Sequence, residues 1–132
     1  DIAEVLPETD ILVYLAPLTS ETKDLVDYEM LSSLKEGAIF INVGRGKCVV
    51  QADLIRALEE KKIAGAGLDV TEPEPLPEDN ELWTFENVII TSHSANSQET
   101  TLVNLAKLVY VNLTNIAIGE EPLGVVDFNR EY

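Results

Sequence analysis

Basic residues are scarce in this chain: 9 Lys and Arg stand against 24 Asp and Glu, a formal net charge of −15. So acidic a chain lacks the basic patch that phosphate backbones demand, which argues against nucleic acid as a partner. Cysteine occurs once, as Cys48, so no internal disulfide can form and cysteine usage gives no sign of secretion. No signal-peptide pattern is visible in the opening Asp1-Ile2-Ala3-Glu4. Long uncharged apolar runs are missing too. The longest candidate, residues 102–118, carries Asn104, Lys107, Asn112 and Asn115, so no membrane span is expected. No metal site is expected either. The expectation is a soluble, cytoplasmic protein.

What is present is enough apolar material for a core: 45% of 132 residues are hydrophobic, which fits one compact domain. The acids gather between positions 72 and 81 and at Glu120 and Glu121, in stretches that read as loops. They make a solvated acidic surface. Adaptation to high salt, where surface carboxylates keep a protein soluble, is the sharper alternative.

Short apolar runs alternate with helical patterns. Ile11-Leu12-Val13-Tyr14-Leu15 reads as a buried strand. Residues 19–34 read as helix in two pieces, the second capped by Asp27, carrying Met30, Leu31 and Leu34 inward, and stopped by Gly37. Residues 38–43 form a second strand and 52–62 a helix with Leu54, Ile55 and Leu58 on one face. Residues 63–70 form a third strand, in which Gly65 and Gly67 allow close backbone approach. A proline-rich acidic loop follows, which Leu82 and Trp83 are expected to anchor to the core. Val88-Ile89-Ile90-Thr91 is a fourth strand. Residues 97–118 read as a long helix, apolar on more than one face and so packed on two partners. Residues 119–132 form a tail. This alternation predicts an α/β fold of right-handed βαβ units, with a parallel sheet covered on both faces.

Ligands of such sheets bind beyond the carboxyl ends of the strands. Three chemically capable residues fall there: Arg45 after the second strand, Glu74 after the third, and His93 after the fourth. A guanidinium binds and polarises an oxyanion with planar geometry that lysine lacks. A histidine held by a carboxylate moves a proton at neutral pH. Together they suit interconversion of a 2-keto acid and a 2-hydroxy acid. Each has a plainer alternative: an ion pair for Arg45, one more solvated acid for Glu74, a histidine without a role for His93. Glu72, two residues away, competes with Glu74. Cys48 reads as a small buried hydrophobe, and Trp83 as packing under the proline-rich loop. Gly65 and Gly67 mimic part of a dinucleotide fingerprint but lack its third glycine. Gly44-Arg45-Gly46-Lys47 lacks P-loop spacing.

Several segments, in order, carry a resemblance. They are Pro17-Leu18-Thr19-Ser20-Glu21-Thr22, Asn42-Val43-Gly44-Arg45-Gly46, Gly65-Ala66-Gly67-Leu68-Asp69-Val70, Glu74-Pro75-Leu76-Pro77 and His93-Ser94-Ala95. The chain resembles the C-terminal half of the nucleotide-binding domain of D-isomer-specific 2-hydroxyacid dehydrogenases. Ser92 stands where that family usually has proline, and Thr71 where it usually has an aromatic residue.

The resemblance implies a Rossmann-type, doubly wound domain present as its C-terminal half. Residues 1–118 belong to that half, and 119–132 run toward a substrate domain. It implies hydride transfer between NAD or NADP and a 2-keto or 2-hydroxy acid. His93 would be the acid–base, Glu74 its partner, and Arg45 the ligand of the substrate carboxylate. Glu74 is preferred over Glu72 because it directly precedes Pro75. Ala16 and Pro17 would approach the cofactor ribose, and Val43, Gly44 and Arg45 would line its nicotinamide end. Asp69 would accept from the carboxamide. His93, Ser94, Ala95 and Asn96 would close the site. A homodimer is implied for the complete enzyme. The competing reading keeps the fold but uses nucleotide only as a conformational sensor, as corepressor-like relatives of this family do.

Overall fold

A computed structural model describes residues 2–96 and 98–129. The chain divides into two compact units, Asp1–His93 and Ser94–Tyr132.

The first unit is built on four parallel strands, β1 (Ile11–Tyr14), β2 (Ile39–Asn42), β3 (Gly65–Leu68) and β4 (Val88–Ile90), in the order β1-β2-β3-β4. The expected α/β Rossmann-like sheet is present. Because side chains alternate across a strand, each register row commits to one face. Leu12, Phe40, Ala66 and Val88 form one row, and Tyr14, Asn42, Leu68 and Ile90 the next. These rows are buried or half-buried.

The opposite face differs from expectation. Ile11, Val13, Ile39 and Ile89 are exposed there, Ile89 at 71%. The sheet is therefore covered on one face only. The continuous apolar runs had suggested two covered faces, and the second set of apolar side chains is open instead.

The covering layer comes from the crossovers. Helix α1 (Ile2–Val5) opens the chain, and a turn of 3₁₀ helix, Leu6–Glu8, buries Leu6 before β1. Helix α2 (Tyr28–Ser32) is capped as expected, with the Asp27 carboxylate accepting from Met30 N–H at 2.9 Å. The first piece of helix expected in residues 19–34 is absent. Thr22 Oγ1 donates to Pro17 O at 2.6 Å and accepts from Thr19 N–H at 2.7 Å, so hydroxyls satisfy the backbone and hold a series of turns. Helix α3 (Gln51–Glu59) presents Leu54, Ala57 and Leu58 to the core, where they meet Leu31, Phe40, Ile63 and Leu82. Cys48 is wholly buried among them, as a small hydrophobe.

No α-helix joins β3 to β4. Pro73, Pro75 and Pro77 lack amide protons and cannot sustain one, so the connection is an extended loop ending in a 3₁₀ turn, Glu81–Thr84. Leu82 anchors it to the core, fully buried, whereas the Trp83 ring stays half exposed instead of packing into the core. Gly65 is required by close approach, since a Cβ there would meet Asn87 O at 2.5 Å. Gly67 faces no such contact, its nearest neighbour being an Ile41 side-chain carbon at 3.7 Å.

The second unit holds α4 (Gln98–Ile118) and the tail. Ser97, the expected first residue of that helix, lies outside the described residues, as do positions 130–132. The tail folds back on the helix. Asn112 pairs with the Leu123 backbone in both directions, at 2.7 and 3.1 Å, and Asn115 donates to Glu121 O at 2.9 Å. No α4 side chain described is buried, so the two packing partners expected for it are not seen. By length and composition Glu99–Ile118 is apolar enough to cross a membrane, which its asparagines and lysine had argued against.

Candidate active site

Beyond the carboxyl ends of β3 and β4 lies a cavity of about 450 Å³, lined by Asp69, Thr71, Glu74, Pro75, Leu76, Trp83, Ile90, Thr91, Ser92 and His93. Asp69, buried directly after β3, organises its floor. Its carboxylate accepts from Thr91 Oγ1 at 2.5 Å, and its carbonyl accepts from His93 N–H at 3.0 Å. That second bond holds His93 at φ 53°, in the left-handed region. Non-glycine residues seldom adopt it, and surrounding contacts must hold it there.

The turn presents the imidazole to the proline-rich loop. His93 Nδ1 and Glu74 Oε1 lie 2.7 Å apart, both side chains about half exposed. Glu74, not Glu72, makes this contact. Glu72 instead lies 3.9 Å from Lys47 Nζ. With Nδ1 engaged by a carboxylate, the Nδ1–H tautomer is favoured and Nε2 is left to exchange a proton.

Arg45 belongs to the neighbouring loop after β2. It is exposed, donates from Nη1 to Gly44 O at 2.7 Å, and is not among the residues lining the cavity. The structure thus brings Glu74 and His93 together and leaves the Arg45 side chain on its own loop. That loop is held by a residue sequence reasoning overlooked. Asn42, 1% exposed, accepts from Gly44 N–H at 3.0 Å and donates to Arg45 O at 3.2 Å. A polar residue ending the otherwise apolar run Ile39-Phe40-Ile41 was the available signal. The Arg45 and Glu74 loops also interlock. A Cβ on Gly46 would sit 2.0 Å from Thr71 O, so only glycine lets them meet.

The remaining candidates fall at the same edge or in the second unit. Val43 N–H donates to Tyr14 O at 3.2 Å, and a Cβ at Gly44 would lie 3.0 Å from Ala16 O, so the loops after β1 and β2 are adjacent. Pro17 holds its loop through Thr22. Ser94, Ala95 and Asn96 belong to the second unit, where Asn96 lines a shallow groove with Thr101, Asn104, Leu105 and Leu108. Among the described residues, no group of three His, Cys, Asp or Glu side chains could hold a metal ion.

A four-stranded parallel sheet with helical crossovers, carrying the Glu74–His93 contact and buried polar groups at its carboxyl edge, is a Rossmann-like domain. Residues 1–95 match the family model described as D-isomer specific 2-hydroxyacid dehydrogenase, NAD binding domain, and the chain belongs to that family. A glyoxylate reductase from Korarchaeum cryptofilum is 40% identical over 126 residues, 96% of this chain and 38% of its own length. A probable 2-hydroxyacid dehydrogenase from Rhizobium etli, solved with NADP, HEPES and L(+)-tartaric acid, superposes with a TM-score of 0.88 at 39% identity, over 99% of this chain and 42% of that one. An NADPH-dependent glyoxylate/hydroxypyruvate reductase from Sinorhizobium meliloti, solved with NADP and sulfate, gives 0.92 at 32% identity over the same shares. The chain spans about two fifths of the length of the relatives it matches.

Proposed function

We propose that this chain supplies the acid–base and cofactor-facing half of an oxidoreductase acting on a 2-keto or 2-hydroxy acid with NAD or NADP. The observation that carries the reading is the 2.7 Å contact between His93 Nδ1 and Glu74 Oε1, at the carboxyl edge of the sheet. The cofactor supplies or accepts the hydride when bound. The residues present fit it: Asp69 offers a buried carboxylate to a carboxamide, and the loops carrying Ala16 and Gly44 meet at the same edge of the sheet. Val43, Pro17, Ser94, Ala95 and Asn96 complete the set suggested for cofactor contact.

In the reducing direction, His93 Nε2 delivers a proton to the carbonyl oxygen as the carbonyl carbon gains hydride. Glu74 keeps Nδ1–H bonded throughout. The imidazole is half exposed and regains its proton from water. In the oxidising direction the proton returns to Nε2. Arg45, turning from the Gly44 carbonyl toward the substrate, pairs with its carboxylate. The substrate is a small 2-keto or 2-hydroxy acid, the complete protein is a homodimer, and its compartment is cytoplasmic.

The competing reading is a nucleotide sensor without turnover. The retracted Arg45 side chain favours it, since the ligand expected to bind substrate is not in the cavity. Steady-state assay of the full-length protein with NADH and NADPH against glyoxylate, hydroxypyruvate and pyruvate separates the two. Turnover of a 2-keto acid supports the enzyme. Tight nucleotide binding with no turnover of any of them supports the sensor.

A further inference from the structure

We propose that Trp83 is a positioning residue for the Glu74–His93 pair, acting through the loop that carries Glu74. The inference rests on the reading of that pair given above. Pro73, Pro75 and Pro77 strip this loop of amide protons, so it cannot hold itself by its own backbone ladder. Its fastenings are few. Thr71 Oγ1 donates to Pro73 O at 2.9 Å, and Leu76 is buried in the core. Pro77 O then takes two bonds, from Asn80 N–H at 3.1 Å and from the Trp83 indole Nε1–H at 2.9 Å. Glu74 lies between these fastenings, and among the described residues the indole provides the only side-chain bond at the far one.

Burial does not explain this tryptophan. It is 51% exposed, although the adjacent Leu82 is fully buried and already anchors the turn. Trp83 is held rigidly all the same. Asn80 Oδ1 accepts from Leu82 N–H at 3.0 Å and caps the 3₁₀ turn, and Trp83 N–H donates to Asn80 O at 3.1 Å. The ring therefore projects from a fixed base onto the cavity wall that Glu74, Pro75 and His93 share. Removing its N–H leaves Pro77 O with the Asn80 amide alone and loosens the end of the loop without touching either partner of the pair. A packing role alone would need the ring and not the N–H.

The test is a double-mutant cycle in the full-length protein, using the keto acid it turns over best. Trp83→Phe keeps an aromatic ring and removes the donor. It should lower kcat by about threefold to tenfold, the scale of one lost hydrogen bond, with KM little changed. Glu74→Gln should lower kcat further, and the double variant should be no slower than Glu74→Gln alone, because both act through one contact. Nitrogen NMR of His93, assigned by its loss in His93→Ala, reads the same point without turnover. The wild type should show one tautomer, protonated at Nδ1, and Trp83→Phe a mixture. If Glu74→Gln lowers kcat while Trp83→Phe leaves rate and tautomer unchanged, or if the two losses multiply, the Trp83 inference is overturned by itself. If Glu74→Gln has no effect, the reading of the pair fails and this inference falls with it.

Discussion

At the scale of single residues, the site is made by side chains whose partners override local preference. His93 keeps a left-handed backbone because its N–H is taken by Asp69 O and its ring by Glu74. Tyr14 shows the opposite situation. Its hydroxyl is buried and meets no partner in good hydrogen-bond geometry among the described residues, with only the Cys48 thiol and the Thr22 hydroxyl beside it. Burial, with the Cys48 thiol beside it, pushes the phenol from its ordinary value of 10.0 up to about 12. The neutral phenol is thus favoured by folding. That contribution is complete below about pH 10 and is lost as pH rises toward 12, because the unfolded phenol ionises first. Replacing Tyr14 with Phe removes a buried and poorly bonded polar atom. We expect stability near neutral pH to hold or rise by up to about 1 kcal/mol, and the alkaline loss of stability to shrink. Urea melts at neutral pH and near pH 11 check both, and a loss of about 2 kcal/mol or more at neutral pH would show that the hydroxyl is bonded after all.

At the scale of elements, the strands were legible in the sequence because each is a short apolar run bounded by turn residues, and all four occur where those runs lie. Asp27 was legible as a cap because capping depends only on residues three apart. Three features were not legible. Thr19 and Thr22 divert their segment from helix through hydroxyl bonds that propensity does not weigh. The open sheet face hid behind apolar runs that look the same whether one face or two are buried. The roles of Asn42 and Gly46 depend on which loops meet, and spacing along the chain does not report that. The interlock at Gly46 gives a prediction at this scale. Gly46→Ala places a carbon against the Thr71 backbone and must push the Arg45 and Glu74 loops apart. It should cost about 1–3 kcal/mol of stability, typical of overpacking, and lower turnover as well. A melt matching the wild type would show that the loops are not locked there.

At the scale of the whole molecule, the first unit is one layer of helices on one face of a parallel sheet, with acids in solvent and the Glu74–His93 pair at the carboxyl edge. Glu72, Glu74, Glu78, Asp79 and Glu81 are all exposed, in keeping with an acidic solvated surface. The apolar rows through Ile11 and Val13 stay partly open, so burial on that side contributes only part of its usual ~25 cal/mol per Å² to this domain. Function therefore hangs on a small part of the fold: the edge where β3 and β4 end and the proline-rich loop returns. The central claim is that His93 moves the proton there. It is tested most directly by kcat for 2-keto acid reduction in full-length His93→Ala, with cofactor affinity measured in parallel. A fall of ~10²- to 10⁴-fold, the usual contribution of a positioned acid–base group, with cofactor affinity retained, is the predicted result. Turnover at the wild-type rate would contradict the account.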